Sequence, residues 1–588
     1  MSRYSSFQVV WRLWKQRFVR TCKALMALGA AGVAWTAYRV IHNGGDQLMH
    51  TAATTPAPHS TAPATSTSGP GVPSPFSQLH IGHLPIAEIA TIGIASIVVL
   101  ASAAMVGAAM LTVPEGFASI LTIRRDMSRR SAKKSARQTR RSIDPRRAHW
   151  TEYGLGMGRA VRPWLRRIVS TFEDTILLVG PSRAYKSVWL ANIILDAPGP
   201  VITTTTKAND VEATLPLRSQ VGNALVWNPY GMGKDLPSTL RWSPVIGCEN
   251  PKVALRRAAL LLYGARKDST SLESFFQSTA AEVLRSYLLA AALADLDMRS
   301  VMSWTTNADD DTAVQILTHY KVDSLWIEVL QQRQATTDRT RDSIYTTLST
   351  TLSWMADPAV AWTACPTVKE NFDLAEFLGG RNTLYLLAEN RISGSVAALF
   401  TAFMGDLVEE TKTIASAMPG GRLDPPLLMP IDEAANICPV PLPTWFSELP
   451  GQGMLPVAAI QSQSQMIEMW GQTGSKTIWN NAAWSLFLAG IKDPDDLKAI
   501  AVMLGTRPQR KTSTHHGAQG ASQSVTTEQV DVMTPAAIRQ LRRRRILGVY
   551  RGDPAVMFKV QKSWQRRDVR QAGREVKIAN RDLRKEER

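Results

Sequence analysis

The octapeptide Gly180-Pro181-Ser182-Arg183-Ala184-Tyr185-Lys186-Ser187 limits the fold of this chain more than any other stretch. It follows an apolar run, Thr175 to Val179 (TILLV), that reads as a buried strand. It opens a segment, Lys186 to Asp196, with the pattern of a helix. A strand that turns through such a loop into a helix is the setting of a phosphate-binding (Walker A) loop. Backbone N–H groups and the helix N-terminus hold phosphates, a lysine reaches the β- and γ-phosphates, and a serine binds magnesium. By that spacing Gly180 to Tyr185 form the cradle, Lys186 meets the phosphates and Ser187 the metal. The pattern G-x-x-x-x-G-K-S is met except at its second glycine, where Tyr185 stands. Glycine there lets backbone approach phosphate with no side chain in the way. Taken alone, the octapeptide fits an ordinary strand-turn-helix with a surface lysine equally well.

A second element decides between the two. Leu427-Leu428-Met429-Pro430-Ile431-Asp432-Glu433 is an apolar strand ending in two acids, the Walker B arrangement. In that role Asp432 holds magnesium through its waters and Glu433 polarises the attacking water. Pro430 is awkward inside a strand, because it has no N–H for the sheet. One strand running into an acidic helix start is common, but both motifs in this order point to a P-loop NTPase. A third strand, Leu455 to Ile460, is followed by Gln461. At the end of a strand beside Walker B, a glutamine senses the γ-phosphate; the plain alternative is a polar loop residue.

With 588 residues the chain is long enough for several domains. From Glu152 onward short apolar runs (201–205, 224–227, 383–387, 427–431, 455–460, 486–489) alternate with helical stretches such as 395–411 and 495–504. That rhythm predicts a mostly parallel sheet with helices on both faces. The expected fold is α/β: a RecA-like P-loop NTPase domain in two parts, 151–250 and 365–563, around an all-helical insertion, 251–364. The stretch 506–530, rich in Ser, Thr, Gln and Gly, reads as a flexible loop before a last strand pair around 546–560. A charged tail, 564–588, closes the chain.

The N-terminal part carries two apolar stretches that read as transmembrane helices, 24–41 and 86–113. The first covers roughly 27 Å at about 1.5 Å per residue; a cleaved signal peptide is its alternative. Lysines and arginines flank both, in the N-terminus 1–23 and the linker 114–150, whereas Asn43 to His83 contains none. The bias predicts a multi-pass protein of the cell membrane, both termini cytoplasmic, with the Pro/Ser/Thr-rich loop 42–85 outside. The net charge of +18 favours an anionic partner. Much of it sits in the run from Arg124 to Arg147, which suits lipid headgroups better than nucleic acid. Four cysteines far apart in sequence, Cys22, Cys248, Cys365 and Cys438, argue against a disulfide framework or zinc site.

These features together resemble the type IV coupling proteins of conjugation and secretion systems, of the TraG/TraD type, and most of all their actinobacterial branch. The resemblance runs through the two spans, GPSRAYKS, ITTTTKANDVEAT, VWNPYG, LRWSPVIGCENP, the helical insertion, IDEAANICPVPLP and AAIQSQSQMIEMWG. It implies an ATPase with ATP and Mg2+ as cofactors, assembled as a membrane-embedded homo-hexamer. Such a motor links a relaxase-bound single-stranded DNA or a protein substrate to the channel components of a type IV secretion system. By position the resemblance carries over Lys186, Ser187, Asp432, Glu433 and Gln461, and it makes 432–505 a TraM-recognition-like segment for relaxosome partners. It places the insertion at the ring's cytoplasmic mouth, and leaves Arg381, Arg391 and Arg507 as equal candidates for an arginine finger. Two other functions compete: a docking scaffold with impaired nucleotide binding, suggested by Tyr185 and Pro430, and an FtsK-like DNA translocase.

Overall fold

The computed structural model describes Ser96 and residues 113–162, 166–265, 271–391, 394–517 and 520–574, without the side chains of 271–274, 512–517 and 520–524. Strands form at the apolar runs: β1 (Leu155–Ala160), β2 (Arg167–Ser170), β3 (Ile176–Val179), β4 (Val201–Thr205), β5 (Ala224–Trp227) and β6 (Thr383–Leu387). They continue with β7 (Leu427–Ile431), β8 (Met454–Ile460), β9 (Trp484–Leu488), β10 (Thr506–Gly517), β11 (Gly520–Asp531), β12 (Arg545–Tyr550) and β13 (Val556–Lys559). Eleven of them make one sheet in the order β2-β1-β13-β12-β9-β3-β8-β7-β4-β6-β5. The seven from β9 to β5 are parallel. The four at the other side run antiparallel.

The parallel strands are continuous apolar runs because both faces are covered. Along β3, Leu177 and Val179 enter one core while Ile176 and Leu178 enter the other. Strand β8 divides in the same way, as the two-residue period of a strand requires. Helix α1 (Lys186–Asp196) covers one face with Trp189, Leu190, Ile193 and Ile194.

Between β5 and β6 the described residues contain helices and no strand: α2 (Pro251–Ala265), α3 (Ser271–Leu293), α4 (Met298–Thr306), α5 (Thr312–His319), α6 (Ser324–Gln334), α7 (Asp338–Thr351) and α8 (Pro358–Ala364). After β6 come α9 (Ala397–Ala417), α10 (Gln463–Asn481) and α11 (Pro494–Leu504), which cover the second face of the sheet. Helix α2 is not a detached part of the insertion. Its Gly264 approaches α9 so closely that an added Cβ would lie 2.6 Å from Thr401 Cβ, and one on Gly405 of α9 would lie 2.5 Å from Leu260 Cδ2. Across this contact Arg256 and Arg257 both grip Asp406, which is only 2% exposed. Further out, the Tyr287 and Tyr345 hydroxyls bond at 2.8 Å and join α3 to α7.

Three expectations are corrected. Strands β1 and β2 were not foreseen; β1 is broken by a bulge between Gly156 and Gly158 and lacks a clean apolar alternation. The stretch expected to be a flexible loop is the ribbon β10–β11, paired from Thr506↔Asp531 to Gly517↔Gly520 as a separate two-stranded sheet. Its threonines and valines favour strand, but with no core behind it the sequence shows no apolar face. The third is the multi-pass membrane location: no helix among the described residues is long and apolar enough to cross a membrane. The long helices α3 and α9 carry charges, Glu282 and Arg285 in one, Asp406, Glu409, Glu410 and Lys412 in the other, and pack into the core. The stretches 24–41 and 86–113 lie outside the described residues, save Ser96 and Val113.

Candidate functional site

Strand β3 delivers the candidate loop, Gly180 to Tyr185, to the C-terminal edge of the sheet, between β9 and β8. Gly180 fits against β9 only as glycine, since a Cβ there would lie 2.8 Å from Leu488 Cβ. Its N–H donates to Ile460 O of β8 at 3.1 Å. The loop then turns through two left-handed residues, Arg183 (φ 63°) and Tyr185 (φ 73°, ψ 21°), before α1 begins. Tyr185 thus holds the backbone conformation that glycine would supply, and its carbonyl accepts from Trp189 N–H in the first turn of α1.

Lys186 is 6% exposed and folds back over the loop, donating from Nζ to Gly180 O at 2.8 Å. Burial lowers its pKa, an effect opposed by the nearby Glu433 and Asp432 carboxylates. Its ammonium stands 4.0 Å from Glu433 Oε1. The Ser187 hydroxyl donates to Asp432 Oδ2 at 3.3 Å. Burial pushes the Asp432 carboxyl up to about 6, against the pull of Lys186.

Asp432 and Glu433 end β7, two places from β3 in the sheet with β8 between them. Pro430 is accommodated here. The ladder to β4 is in register only at Val201↔Leu428 and Thr204↔Ile431, and the Thr203 hydroxyl donates to Pro430 O at 2.8 Å. The Thr204 hydroxyl likewise donates to Asp432 O at 2.7 Å and fixes the strand end. Glu433 is left-handed (φ 53°), which turns its side chain back toward β8. There Gln461 Nε2 donates to Glu433 Oε2 at 2.8 Å and to Oε1 at 3.1 Å.

The structure therefore brings Lys186, Ser187, Asp432, Glu433 and Gln461 into one cluster. Four contributors escaped the sequence reading: Thr203, Thr204, Asn436 and Gln465. Asn436 Nδ2 donates to Glu433 Oε2 at 3.0 Å, and Gln465 Nε2 donates to Asn436 Oδ1 at 3.1 Å. Their only signal is spacing, three residues after Glu433 and four after Gln461. The arginines pair elsewhere: Arg381 with Glu152 at 2.7 Å, Arg391 with Glu389 at 2.8 Å, Arg507 with Glu115 at 3.9 Å.

Sheet and cluster define the class, an α/β protein with the parallel-sheet fold of P-loop NTPases and ligand groups at the carboxyl ends of its strands. Residues 426–543 match the family model described as the TraM recognition site of TraD and TraG. Over that segment the chain is similar to the TraD and TraG proteins. The matched segment runs from just before β7 past the ribbon, so it holds Asp432, Glu433 and Gln461 and exceeds the expected 432–505 at both ends.

Among solved structures, the bacterial conjugative coupling protein TrwBΔN70, in a trigonal form in complex with sulphate, shares the fold with a TM-score of 0.50. Its identity is 16%, over 74% of this chain and 93% of that one. The plasmid coupling protein TrwB in complex with ADP and Mg2+ has a TM-score of 0.47 at 17% identity, over 66% and 85%. VirB4 of Thermoanaerobacter pseudethanolicus has 0.39 at 15%, over 69% and 96%. No curated protein matches the chain.

Proposed function

We propose that this chain is an ATP-driven motor of the coupling-protein kind, which passes relaxase-bound single-stranded DNA or a protein substrate to a conjugation or secretion channel. One observation carries the reading: five polar side chains from three loops, all at one edge of the sheet, stand in the order that phosphate binding and hydrolysis need. The segment that includes 426–543 would meet the relaxosome partner, and the helical block 251–364 would face the substrate in a homo-hexameric ring.

Within the site, the loop N–H groups and Lys186 hold phosphate oxygens. Ser187 Oγ and Asp432 Oδ2 are oxygen donors 3.3 Å apart, and so few protein ligands suit Mg2+, which keeps waters and phosphate oxygens in its shell. When bound, Mg2+ neutralises charge on the phosphates. Glu433 orients the attacking water and takes up its proton. Gln461, already on Glu433, would sense the γ-phosphate.

Steady-state ATP turnover by the full-length chain tests this. Lys186→Ala should abolish nucleotide binding. Glu433→Gln should retain binding and lose turnover by about a hundredfold or more. Turnover unaffected by Glu433→Gln would remove the motor reading. A nucleotide-impaired docking scaffold is the second reading, favoured by one observation: a phenol ring at Tyr185 where the loop would otherwise leave room.

A further inference from the structure

A carboxylate accepts hydrogen bonds and donates none, and a backbone N–H only donates. Those two facts fix every amide in the ring of side chains around Glu433. Gln461 N–H donates to Gln465 Oε1 at 3.0 Å, so Gln465 must present Nε2 on its other side. That group donates to Asn436 Oδ1 at 3.1 Å, which leaves Asn436 Nδ2 for Glu433 Oε2 at 3.0 Å. Gln461 Nε2 closes the circuit on the same carboxylate. The donor-to-acceptor direction runs one way from the end of β8 to Glu433, and neither amide can flip without setting like poles together.

Local structure sets this up. Glu433 O accepts from Asn436 N–H at 2.8 Å, which places Asn436 one turn beyond the glutamate. Gln465 sits in the first turn of α10, its own N–H held by Ser462 Oγ at 3.3 Å. All four residues are partly buried.

We infer that Asn436 and Gln465 are positioning residues for Glu433, and that they matter most when nucleotide is bound. This rests on the hydrolysis reading above. The Gln461 side-chain amide cannot serve Glu433 and a γ-phosphate with the same N–H groups in the same orientation. Once it turns to phosphate, Asn436 is the donor left to aim Glu433 at the water, and Gln465 holds Asn436. The two amides also line a cavity of about 380 Å3 that reaches Gly264, Thr350 and Thr351 of the helical block.

The test compares the full-length parent with Asn436→Ala, Gln465→Ala, the double variant and Gln465→Glu, reading ATP turnover, KM and affinity for a non-hydrolysable ATP analogue. Each single alanine variant should lower kcat about ten- to a hundredfold, the loss expected of a displaced catalytic group. KM and analogue affinity should stay within about twofold. Because the two act in series, the double variant should be no worse than the poorer single by more than about twofold. Gln465→Glu can still accept from Gln461 but donates to Asn436 only when protonated. Its kcat relative to the parent should therefore recover as pH is lowered from about 8 to about 5.5. Should an alanine variant fail to fold, Asn436→Leu and Gln465→Met keep the volume and give the same readouts. Parent-like kcat in the Asn436 variants, equal losses of affinity and kcat, or multiplicative losses in the double variant would each overturn the inference. A parent that binds and does not turn over ATP removes the hydrolysis reading and this one together, whereas an active parent with unaffected variants removes only this one.

Discussion

Tyr185 stands at φ 73°, so the loop carries the strain of a left-handed tyrosine, of order 1–3 kcal/mol. The backbone at this position is one that glycine adopts without strain. Relieving that strain should therefore appear in stability and not in affinity. In Tyr185→Gly the gain is offset by about 0.5–1 kcal/mol of extra unfolded-state freedom. The expected result is a somewhat higher denaturant midpoint, with ATP affinity within about threefold of the parent. Binding tightened tenfold or more would instead mean that the ring itself blocks the cradle, and would favour the scaffold reading. Asp432 makes a second residue-level prediction. Burial raises its pKa to about 6, so the contribution of this group to the empty fold is fully present below its unfolded pKa near 4 and is lost as pH rises through 6. Metal-dependent nucleotide binding needs the ionised form and has the opposite sign. It should weaken about tenfold per unit as pH falls below 6, and Asp432→Asn should raise the stability of the empty chain while removing Mg2+-dependent binding. Denaturation curves and binding isotherms between pH 5 and pH 8 check both.

Helices α2 and α9 are held by an ion cluster that apolar patterning does not reveal. Arg257 reaches Asp406 through Nε at 2.8 Å and also donates to Pro244 O at 3.1 Å. Removing the carboxylate strands a buried guanidinium, and losing one partner of a buried pair costs about 3–5 kcal/mol. Asp406→Ala should lower the denaturant midpoint accordingly, and an unchanged midpoint would show that water enters the contact. Elements buried on both faces were readable because burial leaves unbroken apolar runs: β3, β4 and β6 to β9 stand within two residues of the stretches that spelled them. Elements with another logic were not. Strand β1 hides behind Gly156 and the left-handed Gly158, where a Cβ would lie 2.8 Å from Lys559 O. The ribbon β10–β11, about 40 Å long at 3.4 Å per residue, has no buried residue among those whose side chains are described and so looks like linker. At the site, lysine, serine and paired acids have recognisable spacing, whereas amides such as Asn436 and Gln465 acquire meaning only from what they touch.

Strand β3 pairs on one side with β8 and on the other with β9, and with no earlier strand. The two strands that flank the loop after β3 are thus supplied by chain nearly three hundred residues further on. A chain ended after Gly451 should fail to form the loop and should aggregate, because β3 and β7 would present unpaired edges. Soluble, nucleotide-binding material from such a truncation would contradict the arrangement of the sheet. The same pairing has a consequence for the chain during its manufacture. At about 5–20 residues per second, the ribosome takes roughly tens of seconds to travel from the loop to β9. Throughout that interval Gly180 to Ser187 have no sheet to stand on. The loop acquires its platform late in the chain's own synthesis, so an incomplete copy still on the ribosome lacks the assembled cluster.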